Sequence, residues 1–498
     1  MPPRPGTPLM PFVEIALLAL VALGMLPTLA LFAQFLVVGV HGVRNHYARC
    51  SDYTPRVAFV LPAWNEAQVL GASIDSLMQL DYPAGGWRIV VVDDASTDAT
   101  PEVLREKMAR YPGAVFHLRR EKGGEGKAHT LNHGLKHILA DDWAQAVMIM
   151  DADVLFEPTS LRRMTRHLAD PRIGSVTAYV KEGSDPDNLI TRFIAFEYIA
   201  AQAAARRAQN VGGTLACLAG GAQLHSRANL EAIGGRIDTS SLAEDTYTTF
   251  TTQLEGRRVL FEGNAVVWAE EPDSLAALWK QRLRWARGNL QITRAFGNLW
   301  LRPWRHRGLG GIGFGIVWFS ILLTPVLAVL SSIGLLGLYA RGDAWAWVGF
   351  AAVWRITIAV YLFETLYAFL IDPATARRAW LQGLFFPGAI SLAIMLALIV
   401  PSAWTGLAPD PAQPATGALR WLMPVMYAWN SLSMLAAWVV CRLEQAGLPK
   451  WLRDALLLLV GYGAFMNAIA FAAMVAQWRK VEQRWDKTMK SGKARIPG

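Results

Sequence analysis

The sequence predicts an α/β domain with a largely parallel sheet, set between helices that cross a membrane. Three observations predict it. Short β-branched runs at 57–61, 89–92 and 146–150 alternate with helix-like stretches, the pattern of strands joined by helical crossovers. Long apolar runs flank that region, at 12–40 before it and at 311–338, 345–371, 381–400, 421–440 and 455–476 after it. The 498 residues are 53% apolar, more than an ordinary soluble domain carries.

The run 12–40 is too long for the apolar part of a cleaved signal peptide, and no small-residue cleavage site stands out. About 20 apolar residues span the hydrocarbon, so residues 1–43 read as one transmembrane helix. Polarity changes near Arg44, and 44–284 reads as the α/β domain. From Trp285 to Arg307 the chain mixes Trp, Leu, Phe and Arg; 285–310 is expected to be an amphipathic helix at the membrane surface, an ordinary surface helix being the alternative. Residues 311–477 hold the later apolar segments, separated by turns such as 409–414, and 478–498 form a basic tail.

Arg44, Arg49, Arg302, Arg305 and Arg307 place the α/β domain on the cytoplasmic side. Arg479, Lys480, Arg484, Lys487, Lys490, Lys493 and Arg495 place the tail there too. Five apolar segments between them give the wrong parity, so one is expected to be re-entrant or interfacial. The net charge of +9 follows from this arrangement, and no nucleic-acid-binding module is present in the sequence. Cys50, Cys217 and Cys441 are far apart, with neither disulfide nor metal-ligand spacing. Arg355 and Glu364 lie inside an apolar run on opposite helix faces; at least one is expected to face a polar pathway, with pairing to another helix or snorkelling as the alternative.

Four acidic elements occur in order, each at a strand end or helix start. Pro62-Ala63-Trp64-Asn65-Glu66 follows the first strand, where α/β domains bind ligands; Pro62 and Glu66 are candidate nucleotide contacts, and a plain polar turn is the alternative. Asp93 and Asp94 end the second strand and can accept from a base N–H or ribose hydroxyls, whereas Ser96 and Asp98 suit turn or capping roles. Asp151-Ala152-Asp153 follows the third. Taken as strand residues, both carboxylates point to one side, where they repel unless a cation such as Mg²⁺ or Mn²⁺ joins them; Asp151 is also a candidate nucleotide contact. Glu244-Asp245 opens a later helix, with Asp245 the candidate general base and Glu244 capping, orienting or titrating beside it.

Two basic elements complement the acids. The glycine-rich loop 122–127 precedes a helix expected over 128–139, so backbone N–H groups and Lys127 can approach phosphate. It lacks Walker A spacing, and a surface turn is the alternative. Gln281-Arg282-Leu283-Arg284-Trp285 offers Gln281 and Arg284 to a nucleotide diphosphate and Trp285 to a stacked acceptor sugar or to a membrane-interface anchor.

The ordered set resembles the processive membrane glycosyltransferases of family 2, the cellulose, hyaluronan, chitin and poly-N-acetylglucosamine synthases, over roughly 56–288. The family's nucleotide-binding pair looks like Asp93-Asp94, its metal motif like Asp151-Ala152-Asp153, its base motif like Glu244-Asp245, and its Gln-x-x-Arg-Trp motif is matched at Gln281, Arg284 and Trp285. The resemblance implies a GT-A type fold, a UDP-sugar donor, inversion to a β-linkage, Mg²⁺ or Mn²⁺, a growing polysaccharide, and a channel through the helices of a bacterial inner membrane. Accessory export or regulatory subunits are also implied. Gly220 and Gly221, in 218–222, occupy the place of an acceptor-site loop, and Thr488 loosely matches a segment near the active site. The short tail leads us to expect no built-in cyclic-di-GMP receptor. A transferase adding one sugar to a lipid, or a scaffold with an inactive domain, remain the alternatives.

Overall fold

The computed structural model describes residues 9–43, 50–400, 419–481 and 490–496. Arg44, Arg49, the turn 409–414, Arg484, Lys487 and Thr488 lie outside the described residues. The chain forms two compact units, Gln34–Gly315 with the tail, and Met1–Ala33 with Ile316–Val481.

The first unit is built on one eight-stranded sheet. Its strands are β1 (Val57–Ala63), β2 (Trp87–Asp93), β3 (Val115–Arg119), β4 (Ala146–Ile149), β5 (Val154–Phe156), β6 (Ile173–Glu182), β7 (Gln223–Ser226) and β8 (Arg258–Ala269), in the order β3-β2-β1-β4-β7-β6-β8-β5. The half containing β1 to β4 is parallel, which explains its unbroken apolar runs: both faces are covered, so alternation disappears. β7 inserts antiparallel between β4 and β6, so the sheet is mixed.

Pairing in register aligns the carboxyl ends. Ala63 lies opposite Asp93, and Val60 opposite Ile149, so the segments after β1, β2 and β4 leave the same edge. The Lys127–Ile138 helix packs on this half through Leu131, Leu135 and Ile138, against Val60, Val90, Val92 and Val147. Gly134 sets the approach: a methyl there would lie 2.7 Å from Val92 Cγ2 and 2.9 Å from Val60 Cγ1.

Two expectations are corrected. β4 stops at Ile149, so Asp151 and Asp153 lie in the turn before β5, and strand alternation does not orient them. The amphipathic segment expected over 285–310 belongs to a helix that starts earlier, Leu275–Ala295, capped by Ser274 Oγ accepting from Ala277 N. Residues 296–311 are turns, because Pro303 and Gly297, Gly308, Gly310 and Gly311 do not sustain a helix. Leu301 and Trp304 nonetheless stay exposed there beside Arg302 and Arg305.

The second unit is helical. The segment expected to be one transmembrane helix forms two, Leu9–Leu23 and Leu26–Val43, broken at Gly24 and Met25. The break lets the first helix lie close on Thr324–Ala340: a methyl on Gly24 would sit 2.5 Å from Ser331 Cβ, and one on Gly334 2.6 Å from the Leu17 carbonyl oxygen. Leu26–Val43 and Trp345–Ile371 are long and apolar enough to cross a membrane by themselves. Three further pairs pass only together, bent by 74° at Leu323, 81° at Ala428 and 87° at Gly461. The apolar run 381–400 yields a five-residue helix, Trp380–Leu384, and an 11-residue one, Ala389–Ile399. The longer is about 17 Å, short of the roughly 30 Å hydrocarbon core. Arg355 turns its Nε to the Leu398 carbonyl at 3.5 Å, and no ion pair joins it to Glu364 among the described residues.

Gly134→Ala is expected to lower stability by about 1–3 kcal/mol through overpacking, read as a drop in the unfolding temperature of the purified chain.

Candidate active site

The edge where β1, β2 and β4 end gathers the acidic elements, and the structure divides their labour. Pro62 is the penultimate residue of β1, opposite Val92. Asn65 takes a left-handed conformation at φ 54°, and its Oδ1 accepts from the backbone N–H groups of Thr97 (2.8 Å) and Asp98 (3.3 Å). Glu66 N donates to Thr100 Oγ1 at 2.8 Å, which ties the two loops together. Ser96 and Asp98 serve the turn, as their residue types suggested: Ser96 Oγ accepts from Asn65 N, and Asp98 Oδ1 from Thr100 N.

Asp93 and Asp94 are not equivalent. Asp93 is 0% exposed; its Oδ1 accepts from Ser96 N at 2.8 Å, and its Oδ2 pairs with Arg119 and His117. Asp94 pairs with Arg120 and accepts from Gly124 N at 2.9 Å. The glycine-rich loop therefore folds onto Asp94. Gly123 is required by contact, since a methyl there would lie 2.1 Å from the Asp94 carbonyl oxygen, and Gly124 and Gly126 sit at φ 86° and 105°.

That loop delivers Lys127 to the centre of the site. Its Nζ lies 2.6 Å from Asp151 Oδ1, 3.4 Å from Glu244 Oε1 and 3.4 Å from the Gly220 carbonyl oxygen. Gly220 lines the same space: a methyl there would stand 3.3 Å from Lys127 Nζ, 3.4 Å from Asp245 Oδ2 and 3.9 Å from Asp151 Oδ2. Gly221 instead faces Val154 and Val180. Residues from four distant chain segments thus meet within a few ångströms.

The electrostatics follow from this crowding. Burial opposes the charge on Lys127, but Asp151, Glu244 and Asp245 outweigh it and raise its pKa. For Asp151, burial raises the pKa and Asp153 adds to that, against the pull of Lys127. The Asp151 side chain is 39% open, so water tempers the effect. Burial first, then the charge of Glu244, push Asp245 up to about 6. Asp245 Oδ1 also accepts from Thr246 N at 2.7 Å, in the first turn of the Glu244–Leu254 helix.

Among the described residues no group of three or more His, Cys, Asp or Glu side chains converges on a metal position. Asp151 and Asp153 are two hard oxygen donors, and each carries a lysine ammonium, so the fold itself puts positive charge where a cation would sit. Two carboxylates suit Mg²⁺ or Mn²⁺, which keep water and take phosphate oxygens as their other ligands. The residues fit such an ion.

The Leu275–Ala295 helix carries Gln281, Arg284 and Trp285. Gln281 is buried and donates from Nε2 to Glu271 Oε2 at 3.2 Å; Arg284 is partly buried, and Trp285 remains 37% exposed. One turn on, Gly288 meets the residue before the base motif: a methyl there would lie 2.7 Å from Ala243 Cβ. Gln291 Oε1 accepts from Leu242 N at 2.9 Å. Gly288, three residues on from Trp285, is thus where this helix approaches the base motif.

Lys490 was legible only as one charge in a basic tail, yet its Nζ lies 2.8 Å from Asp153 Oδ2. Burial opposes its charge, but Asp153 and Glu271 raise its pKa. The Glu270 carboxylate holds the segment, accepting from Ser491 N (2.7 Å), Ser491 Oγ (2.8 Å), Gly492 N (3.0 Å) and Lys493 N (3.3 Å). Arg495 N then donates to the Gly183 carbonyl at 2.9 Å. No local pattern sets Lys490 or Glu270 apart from neighbouring lysines and glutamates; the pairing exists only in the folded chain.

Residues 55–288 match the family described as Glycosyltransferase like family 2. The probable glycosyltransferase YdaM of Bacillus subtilis is 28% identical over 313 residues, 62% of this chain and 73% of that protein. The poly-beta-1,6-N-acetyl-D-glucosamine synthase of Staphylococcus epidermidis is 25% identical over 237 residues, 47% of this chain and 55% of the synthase. That of Staphylococcus aureus is 26% identical over 242 residues, 48% and 56% of the two chains. The chain therefore spans just over half the length of these two synthases. Among solved structures, the mannosyltransferase PcManGT from Pyrobaculum calidifontis, in complex with GDP-Man and Mn²⁺, aligns with a TM-score of 0.54 at 22% identity, over 79% of this chain and 99% of that one. At that identity the likeness is one of fold, and it is GT-A-like.

In the role of general base, Asp245 with a pKa of about 6 would make transfer fall as pH drops through that value and level off above it, so kcat/KM against pH should show an acidic limb there, lost in Asp245→Asn along with nearly all activity. In the folded chain this carboxyl keeps its proton up to about pH 6, against 3.8 for the ordinary group. Folding takes up protons between those values, and the contribution of Asp245 to stability falls as pH rises through that window. Asp245→Asn should therefore unfold at the same or a higher temperature than wild type at pH 7.5; a clear drop would contradict the burial cost.

Proposed function

We propose, from the premise that residues 55–288 are a family 2 glycosyltransferase domain of GT-A-like fold, that the chain transfers a sugar from a UDP-sugar onto a growing β-linked polysaccharide and passes the product through its membrane helices. The observation that carries this reading is the meeting of Asp151, Lys127, Gly220, Glu244 and Asp245 in one space, with Gly288 of the helix that carries Trp285 against Ala243, the residue before the base motif.

In this reading Asp94, the less deeply enclosed of the aspartate pair, and the loops after β1 and β2 receive the nucleotide. Asp151 and Asp153 hold Mg²⁺ or Mn²⁺, which when bound neutralises charge on the leaving diphosphate. Lys127 turns its ammonium toward the same charge, and Arg284 lies on the helix that borders it. Asp245 takes the proton from the acceptor hydroxyl as that oxygen attacks the anomeric carbon from the face opposite the leaving group. One base and a stabilised leaving group suffice for inversion, with no covalent sugar on the enzyme. Gly220 keeps clear the space where donor and acceptor meet.

The product named for the synthase relatives, poly-beta-1,6-N-acetyl-D-glucosamine, supports UDP-GlcNAc ahead of UDP-Glc as the donor in this reading. For the membrane, counting each bent pair as one broken span makes four crossings with Trp345–Ile371 after the catalytic domain, an even number. Four crossings return the basic tail to the side of Arg302 and Arg305, which removes the parity conflict and leaves Ala389–Ile399 as the short segment. The location is then a bacterial inner membrane, with the catalytic domain cytoplasmic.

Membrane vesicles containing the chain, given UDP-GlcNAc or UDP-Glc separately, should release UDP and make a polymer that linkage-specific hydrolases digest, with UDP-GlcNAc the better donor. Chelation with EDTA should stop the reaction and Mg²⁺ or Mn²⁺ restore it. A single glycolipid as the only product would sink the polymer reading; UDP release that survives Asp151→Asn and Asp245→Asn would sink the site.

A further inference from the structure

Next to the Trp285 indole lies a buried arginine to which neither the nucleotide nor the base assignment gives a role. Arg282 is 3% exposed. Its guanidinium carbon stands 4.1 Å from the centre of the Trp285 ring and 5.4 Å from that of Tyr198. Its Nη2 donates to Glu197 Oε2 at 3.0 Å. Tyr198 is fixed in turn, its hydroxyl donating to Glu271 Oε1 at 2.6 Å, and the other oxygen of Glu271 accepts from Gln281. Glu197 and Tyr198 end a regular helix, Leu189–Tyr198, immediately before a π-helical stretch, Ile199–Ala204. Such stretches re-aim the side chains on either side of them.

We propose that Arg282 is a positioning residue: held by Glu197 and packed between Tyr198 and Trp285, it fixes the plane of the Trp285 indole so that the ring's exposed part forms the stacking wall of the acceptor-sugar subsite. The proposal rests on the reading of the chain as a polysaccharide synthase. A guanidinium at 4 Å from a ring centre covers one face of the indole and limits its rotation. Trp285 is still 37% exposed, and Gly288, three residues on in the same helix, abuts Ala243, the residue before Glu244-Asp245. Stacking on a sugar depends on ring orientation, because a tilted indole loses contact with the flat apolar face of the pyranose. Lysine keeps the charge but not the plane, so it cannot take over this role.

The test uses the full chain in membrane vesicles, with UDP-GlcNAc as donor and a β-1,6-linked N-acetylglucosamine pentasaccharide as acceptor probe. Arg282→Lys and Glu197→Gln are each expected to raise the acceptor KM by about 3- to 30-fold while the donor KM stays within about twofold. A purely structural role for Arg282 would move donor and acceptor constants together or only lower the amount of active enzyme. Joint movement of the two KM values, or an acceptor KM within twofold of wild type, overturns the proposal. If Arg282→Lys does not accumulate, Glu197→Gln alone decides by the same split, since it loosens the guanidinium without removing it. Failure of the wild-type chain to extend the pentasaccharide, together with no polymer from either UDP-GlcNAc or UDP-Glc in the same vesicles, overturns the synthase reading instead, and the proposal with it.

Discussion

Four carboxylates, those of Asp151, Asp153, Glu244 and Asp245, share one cleft, and the ammonium of Lys127 is what allows three of them to stay there. Two like charges 4 Å apart repel by about 4 kcal/mol at the effective dielectric of a protein surface. Lys127 touches Asp151 and Glu244 directly and raises its own affinity for the proton by doing so, against a burial that would strip it. Lys490 does the same for Asp153. The cleft therefore holds four carboxylates whose repulsion is offset in part by two lysines more than 300 residues apart in the chain. Much else serves to bring Lys127 there: the contact of Gly123 with the Asp94 backbone, the left-handed Gly124 and Gly126, and the bare Gly220 that gives the ammonium room.

Topology and small residues do the rest of the placing. Parallel pairing of β1, β2 and β4 brings three loops to one edge. Distance across that edge is set by backbone approach rather than by long side chains, at Gly134 between helix and sheet and at Gly288 between the Leu275–Ala295 helix and Ala243. Charged side chains then act from a fixed frame. The raised pKa of Asp245 is a consequence of that frame: beside Glu244 and out of bulk water, the carboxyl gains basicity near neutral pH at a cost in stability.

The sequence made the α/β architecture and the order of the acidic motifs legible because both are local. An apolar run ending in two aspartates reads the same before and after folding. What it could not supply were the relations that exist only across space. Asp93 and Asp94 look alike in sequence, yet only the fold encloses Asp93 completely behind Arg119 and His117. Asp151 and Asp153 were oriented by strand alternation, and the strand ends two residues too early for that argument. Helix breaks at Gly24, Leu323, Ala428 and Gly461 were hidden inside uniform hydropathy, because hydropathy measures burial in lipid or protein and says nothing about direction. Lys490 was hidden for a different reason: a lysine in a basic tail gains meaning only from the Glu270 carboxylate that ties its neighbours down.

The polar cluster behind Trp285 bears on why such groups persist in an interior. Removing Arg282 and Glu197 from water costs several kcal/mol, and apolar side chains of equal volume often hold two helices together as well or better. Adhesion therefore does not explain the pair. An apolar contact leaves a neighbouring ring free to slide or turn, whereas a guanidinium fixed at one end by a carboxylate constrains the ring beside it in both position and plane. A second chain of hydrogen bonds runs from Tyr198 through Glu271 to Gln281, and the Arg282 guanidinium over the Tyr198 ring brings the two together. The π-helical stretch at Ile199–Ala204 lies between Tyr198 on one side and Arg206, which feels the charge of Asp245, on the other. A single irregular turn thus separates the surroundings of Tyr198 and Arg282 from those of Asp245, and a regular helix, with its fixed 100° step, could not redirect one side without moving the other.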